Sequence, residues 1–114
     1  MKYALLIYPG ELTSTSEHLP QEDRDAILGE YMALLDVPGV LGAAQLQPPE
    51  SATTIRVEDG KTLTTDGPFA DTKEILGGLY LFEADNLDRA LEMATRIPAA
   101  RLGGAVEVRP LVER

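Results

Sequence analysis

No cysteine occurs among the 114 residues, so disulfides, thiolate nucleophiles and thiolate metal sites are all excluded. A cysteine-free chain suits a reducing compartment, and this one reads as cytoplasmic. Histidine is nearly as scarce. The single one, His18, lies in a polar stretch, where it reads as a solvated loop residue. Without a second histidine there is no paired-histidine metal spacing, and a serine triad has no support. Positive charge is also short: 10 Lys and Arg face 19 Asp and Glu, a net charge of −9. Phosphate backbones and anionic lipid repel such a polyanion, which makes nucleic acid and membrane poor partners. Long hydrophobic runs are missing as well. The first apolar stretch, Tyr3 to Tyr8, is too short to cross a bilayer and lacks the longer apolar region and cleavage site of a secretion signal. Gly77-Gly78 and Gly103-Gly104 precede strands, not helices, so neither forms a phosphate loop at a helix N-terminus.

What remains is an ordinary globular composition, 44% hydrophobic and 25% charged, of a length that fits one domain spanning residues 1–114. Y-A-L-L-I-Y is apolar at every position and ends at Pro9-Gly10, as a strand covered on both faces should. The polar segment after it reads as a loop. Pro20 and the acids Glu22, Asp23 and Asp25 then open a helix from about Gln21 to Asp36, with Ile27, Tyr31, Leu34 and Leu35 on one face. V-L-G-A-A-Q-L, residues 40–46, is a second strand. Ile55 and Val57 alternate with polar residues before Asp59-Gly60, a favoured two-residue hairpin turn. G-L-Y-L-F-E-A, residues 78–84, is an apolar strand. Asp85 or Asn86 caps a second helix whose Leu87, Ala90, Leu91, Ala94 and Ile97 share a face. The closing A-V-E-V-R-P-L alternates apolar and charged residues, as a strand with one wet face does.

The order is β-α-β, an inserted hairpin, then β-α-β. It predicts an α+β, ferredoxin-like split β-α-β sandwich with both helices on one face of an antiparallel sheet. Nothing in so short a chain is left to cover the other face. A second copy is the expected cover, giving a homodimer.

The run D-G-P-F-A-D-T-K-E-I-L-G-G, residues 66–78, resembles the signature of the DGPF-type branch of the YCII-related domain proteins. M-K-Y-A-L-L-I-Y, L-Q-P-P-E-S-A-T-T-I-R-V and I-P-A-A-R-L-G-G-A-V-E-V-R-P-L are similar to that family in the same order. The resemblance implies a dimeric α/β barrel, two ferredoxin-like subunits packed sheet to sheet with a pocket in each. It also implies a link to extracytoplasmic-function sigma factors, beside which some members are encoded or to which they are fused. Other branches include small lyase-like enzymes with a His-Asp pair, whose histidine lies inside the first helix. This chain has residues such as Glu30 and Tyr31 there, so the pair is not carried over.

Candidate site residues concentrate in the same run. Asp66 is a turn residue with Gly67 and Pro68, or a carboxylate at a strand end that moves protons once desolvated. Phe69 is core packing, or a wall facing a ligand. Lys73 and Glu74 either orient an anionic substrate and tune a neighbouring pKa, or form an ion pair that pins the loop. Tyr8 and Tyr80 offer hydroxyls to a pocket, or are core tyrosines with a satisfied hydroxyl. The expected set is therefore Asp66, Lys73 and Glu74 for chemistry and Tyr8, Gly67, Pro68, Phe69 and Tyr80 for ligand contact, with no metal and no cofactor. Two functions fit it. One is a cofactor-free enzyme of lyase or isomerase type acting on a small organic molecule. The other is a non-catalytic module that binds a small ligand or a protein partner, such as a sigma factor.

Overall fold

The computed structural model describes residues 1–69 and 74–114. In chain order the elements are β1 (Lys2–Tyr8), α1 (Gln21–Leu34), β2 (Val40–Gln45), β3 (Thr53–Glu58), β4 (Lys61–Asp66), β5 (Gly78–Glu83), α2 (Leu87–Thr95) and β6 (Ala105–Pro110). Four strands form one sheet in the order β2-β5-β1-β6, every neighbouring pair antiparallel. Each β-α-β unit is thus split by a strand of the other, which is the ferredoxin-like arrangement the sequence predicts.

Strand alternation decides where the core lies. Tyr3, Leu5 and Ile7 of β1 stand opposite Phe82, Tyr80 and Gly78 of β5, and all of these are buried. On the same face pack Leu34, Ala90, Met93 and Ile97 from the helical side. The intervening positions Ala4, Leu6, Tyr8, Leu79 and Leu81 point the other way and are only half-buried. No helix reaches that face among the described residues, so β1 is buried on one side and not on both. No described helix is long and apolar enough to cross a membrane.

The helices depart from their expected faces in detail. In α2 the buried residues are Ala90, Met93 and Ala94, with Ile97 after it, while Leu87 and Leu91 are exposed. Met93, three residues on from Ala90, displaces Leu91 from the stripe because the sheet meets the helix about one residue round. Asn86 is the cap, its side chain accepting a hydrogen bond from the Arg89 amide at 2.9 Å. In α1 only Ile27 and Leu34 are buried. Leu35 falls beyond the helix and is exposed.

The β3–β4 hairpin forms a two-stranded sheet of its own. Glu58 pairs with Lys61, and Asp59 and Gly60 between them take φ values of 50° and 75°. Both central residues are left-handed, as the hairpin turn that matches strand twist requires. Nearly every residue of the hairpin is exposed, including Ile55 and Val57 at 66% each. Its projection from the body shows in the radius of gyration, 16.1 Å, against about 13 Å for a compact chain of this length.

Candidate functional site

The hairpin stem is closed by the Asp-Gly-Pro run. Asp66 is the last residue of β4, paired with Thr53. Gly67 takes φ 102°, a conformation that L side chains rarely adopt. Its amide donates to the Ala52 carbonyl at 2.7 Å, and its own carbonyl accepts from the Thr54 hydroxyl at 2.7 Å. Turn chemistry therefore has a visible purpose at this corner.

Past residue 74 the chain returns to the sheet. The Gly77 amide donates to Ile7 O at 2.8 Å, and the Leu46 amide donates to Gly77 O at 2.9 Å. A Cβ on Gly77 would stand 2.6 Å from Pro9 Cγ, and one on Gly78 would stand 2.7 Å from Ala44 O. The glycine pair is thus required by close approach of neighbours on both sides. It seats residues Ile75 and Leu76, together with Leu46–Pro49, as a wall with a cleft on either side.

The larger cleft, about 1020 Å³, opens beside the end of β1 and the start of β6 on the half-covered sheet face. Tyr8 lines it from the last position of β1, Pro68 from the hairpin exit, and Glu74 from the returning segment. Glu107 of β6 adds a second carboxylate to the wall and is held by a charge-assisted hydrogen bond from Arg109. A phenol and two carboxylates among prolines and aliphatic side chains can orient a small polar molecule, and a carboxylate there can accept a proton. Among the described residues no group of three or more His, Asp or Glu is placed to hold a metal ion.

The smaller cavity, about 550 Å³, lies between α1, the loop before it and the inner end of β2. Tyr80 lines it from the buried sheet face. Its hydroxyl donates to the Tyr31 carbonyl at 2.7 Å. Burial, with a smaller contribution from the neighbouring Tyr31, pushes the Tyr80 phenol up to about 12. Burial also raises the Tyr31 phenol, partly offset by a backbone hydrogen bond at Ala99 and by Arg101.

The structure therefore divides the expected residues. It brings Tyr8, Pro68 and Glu74 together in the larger cleft. Tyr80 belongs to the smaller cavity on the opposite sheet face, because positions 8 and 80 fall on opposite phases of strand alternation. Asp66 and Gly67 build the hairpin stem and line neither cleft. Phe69 is not core: it is 71% exposed, with the Arg56 guanidinium 5.2 Å from its ring centroid. The projecting hairpin carries it away from the helix-side core. Lys73 lies outside the described residues. Glu107 was missed, although the apolar–charged alternation of its strand already pointed it to the wet face.

Residues 1–114 match the YCII-related domain. The chain is also 37% identical over 118 aligned positions to an uncharacterized protein of Rhizobium meliloti, the match covering 97% of this chain and 92% of that one.

Proposed function

The chain belongs to the YCII-related domain family, and from that premise we propose that it is a homodimeric small-molecule-binding protein whose ligand occupies the larger cleft. The observation that carries this reading is the cleft itself: about 1020 Å³ beside the half-covered sheet face, with Tyr8, Pro68 and Glu74 in its wall. An open apolar face of four strands is a natural surface for a second copy. A second copy there would deepen the cleft and shield it from water. Shielding strengthens every polar contact to a bound molecule.

Glu74 favours a second reading within the same site. A carboxylate lining the same cleft as the Tyr8 phenol is the kit of a cofactor-free acid–base enzyme of lyase or isomerase type, with Glu74 as the proton carrier. The two readings separate in one series of measurements. A metabolite library screened by thermal shift identifies ligands, since a bound ligand raises the melting temperature by mass action. Glu74→Gln and Tyr8→Phe should weaken a true ligand by roughly tenfold. If Glu74→Gln leaves affinity intact and abolishes turnover of that molecule, the protein is an enzyme. If both variants bind and turn over that molecule as the parent does, the cleft is not the site. Light scattering that returns the mass of one chain at micromolar concentration would remove the dimer.

A further inference from the structure

The smaller cavity has a composition that the rest of the chain does not share. A quarter of all residues are charged, yet no described residue in its lining is Asp, Glu, Lys, Arg or His. It lies on the helix side of the sheet, across the Ile75–Leu76 wall from the larger cleft, whose lining carries Glu74 and Glu107. One side is an aliphatic stripe on α1 and its C-cap residue. Leu28, Met32 and Leu35, at i, i+4 and i+7, are 45%, 57% and 41% exposed and all line the cavity. They are surplus to the core, which α1 serves through Ile27 and Leu34.

The other end is polar but neutral. Thr13, Ser14 and Thr15 line it from the loop; the other polar lining residues, Gln45 at the end of β2 and Gln47 just after it, are neutral too. The loop is held in place by its own hydroxyls. Thr13 Oγ1 lies 3.0 Å from Thr15 Oγ1 and 3.1 Å from Ser16 Oγ, and Ser16 Oγ donates to the Glu11 carbonyl at 2.6 Å. A wall pinned in this way loses little entropy when a molecule settles on it.

We propose that this cavity is a second binding site, specific for an uncharged amphiphile: an aliphatic or aromatic body along Leu28, Met32 and Leu35, and one neutral hydroxyl or amide head at the Thr13–Thr15 end. Its volume falls in the range that holds small organic ligands. The selectivity follows from desolvation. A neutral head exchanges water for hydroxyl and amide partners. A charged head loses far more hydration and meets no counter-charge in the described lining.

The test uses three probes of one chain length and different heads: octan-1-ol, octanoate and octylammonium at neutral pH. Titration followed by amide NMR shifts should show octan-1-ol binding with shifts at Thr13–Thr15 and along α1. The two ions should bind about tenfold or more weakly. Met32→Lys should abolish octan-1-ol binding, Met32→Leu should retain it, and Glu107→Gln in the other cleft should leave it unchanged. The proposal is overturned if octanoate or octylammonium binds as tightly as the alcohol, or if octan-1-ol does not bind. It is equally overturned if folded Met32→Lys still binds the alcohol. A change in oligomeric mass on Met32→Lys would assign the stripe to an interface between chains and overturn it too.

Discussion

The two helices lie on the same side of one sheet and use their apolar residues in opposite ways. α2 spends them on the core: Ala90, Met93 and Ala94 are buried, and Met93 has no exposed surface at all. α1 is longer, yet it buries only Ile27 and Leu34 and leaves Leu28, Met32 and, just past its end, Leu35 open. Their caps differ likewise. Asn86 satisfies an amide of α2 with its side chain, while Pro20 at the start of α1 makes no side-chain cap bond. Apolar periodicity says that a helix has a face. It does not say whether that face belongs to the fold or to a ligand. In this molecule α2 serves the fold, and α1 carries apolar surface that the fold does not use.

One methionine on each helix turns that comparison into numbers. Met93→Ala should cost about 3 kcal/mol, the usual loss for truncating a fully buried side chain and leaving a cavity. Met32→Ala, at 57% exposure, should stay within about 0.5 kcal/mol. Urea unfolding of both variants measures the difference. Equal losses would show that the α1 stripe is buried in solution and that the contrast between the helices is false.

A smaller effect probes the joint between α1 and the sheet. The Tyr80 hydroxyl donates to a carbonyl of α1, and its pKa lies at about 12 against an ordinary 10.0. The folded state thus holds the phenolic proton more tightly than the unfolded chain. Below pH 10.0 both states are protonated and the contribution is complete. As pH rises from 10.0 towards about 12 the unfolded chain alone ionises, so stability falls. Tyr80→Phe should lose about 1 kcal/mol at neutral pH for the hydrogen bond. It should also flatten the alkaline fall, which Tyr31, shifted in the same direction, will partly maintain. Unfolding curves across the alkaline range test both parts. An unchanged alkaline slope in Tyr80→Phe would place that fall elsewhere.

Much of the fold was legible because it follows from short-range rules. The Asp59-Gly60 turn is where the sequence puts it, the cap is Asn86 of the two residues the sequence offered, and the apolar strand read over residues 78–84 runs Gly78–Glu83; each depends on a few neighbouring residues. Strand order followed from the β-α-β repeat. The site was less legible. Tyr8 and Tyr80 both read as aromatic strand residues, but only the pairing of β1 with β5 reveals that they face opposite sides of the sheet. Asp66 and Glu74 lie in one sequence run, yet one belongs to the hairpin stem and the other to a cleft wall. The smaller cavity was invisible for a similar reason. Its described lining comes from five separated stretches, and what distinguishes it is that none of those lining residues carries a charge.

The smallest effect concerns Phe69, and it decides between the two characters of the hairpin. Read from the sequence, an aromatic after a tight turn is a core anchor, and its loss would cost several kcal/mol. In the structure the ring is 71% exposed, beside Arg56 of the same hairpin. An exposed cation–π contact contributes only about 0.5 kcal/mol. Phe69→Ala should therefore lower stability by about that amount, measured by urea unfolding at low protein concentration, where any second chain has dissociated. Raising the protein concentration sharpens the test. If the exposed Phe69, Ile55 and Val57 pack against a second copy, the cost of Phe69→Ala will grow with concentration, because dimer stability depends on protomer concentration. If it stays near 0.5 kcal/mol throughout, the hairpin takes no part in association, and only the sheet face remains to hold the dimer. A loss near 3 kcal/mol at every concentration, the penalty of a buried aromatic, would contradict the exposed placement of Phe69 and restore its role as a core anchor.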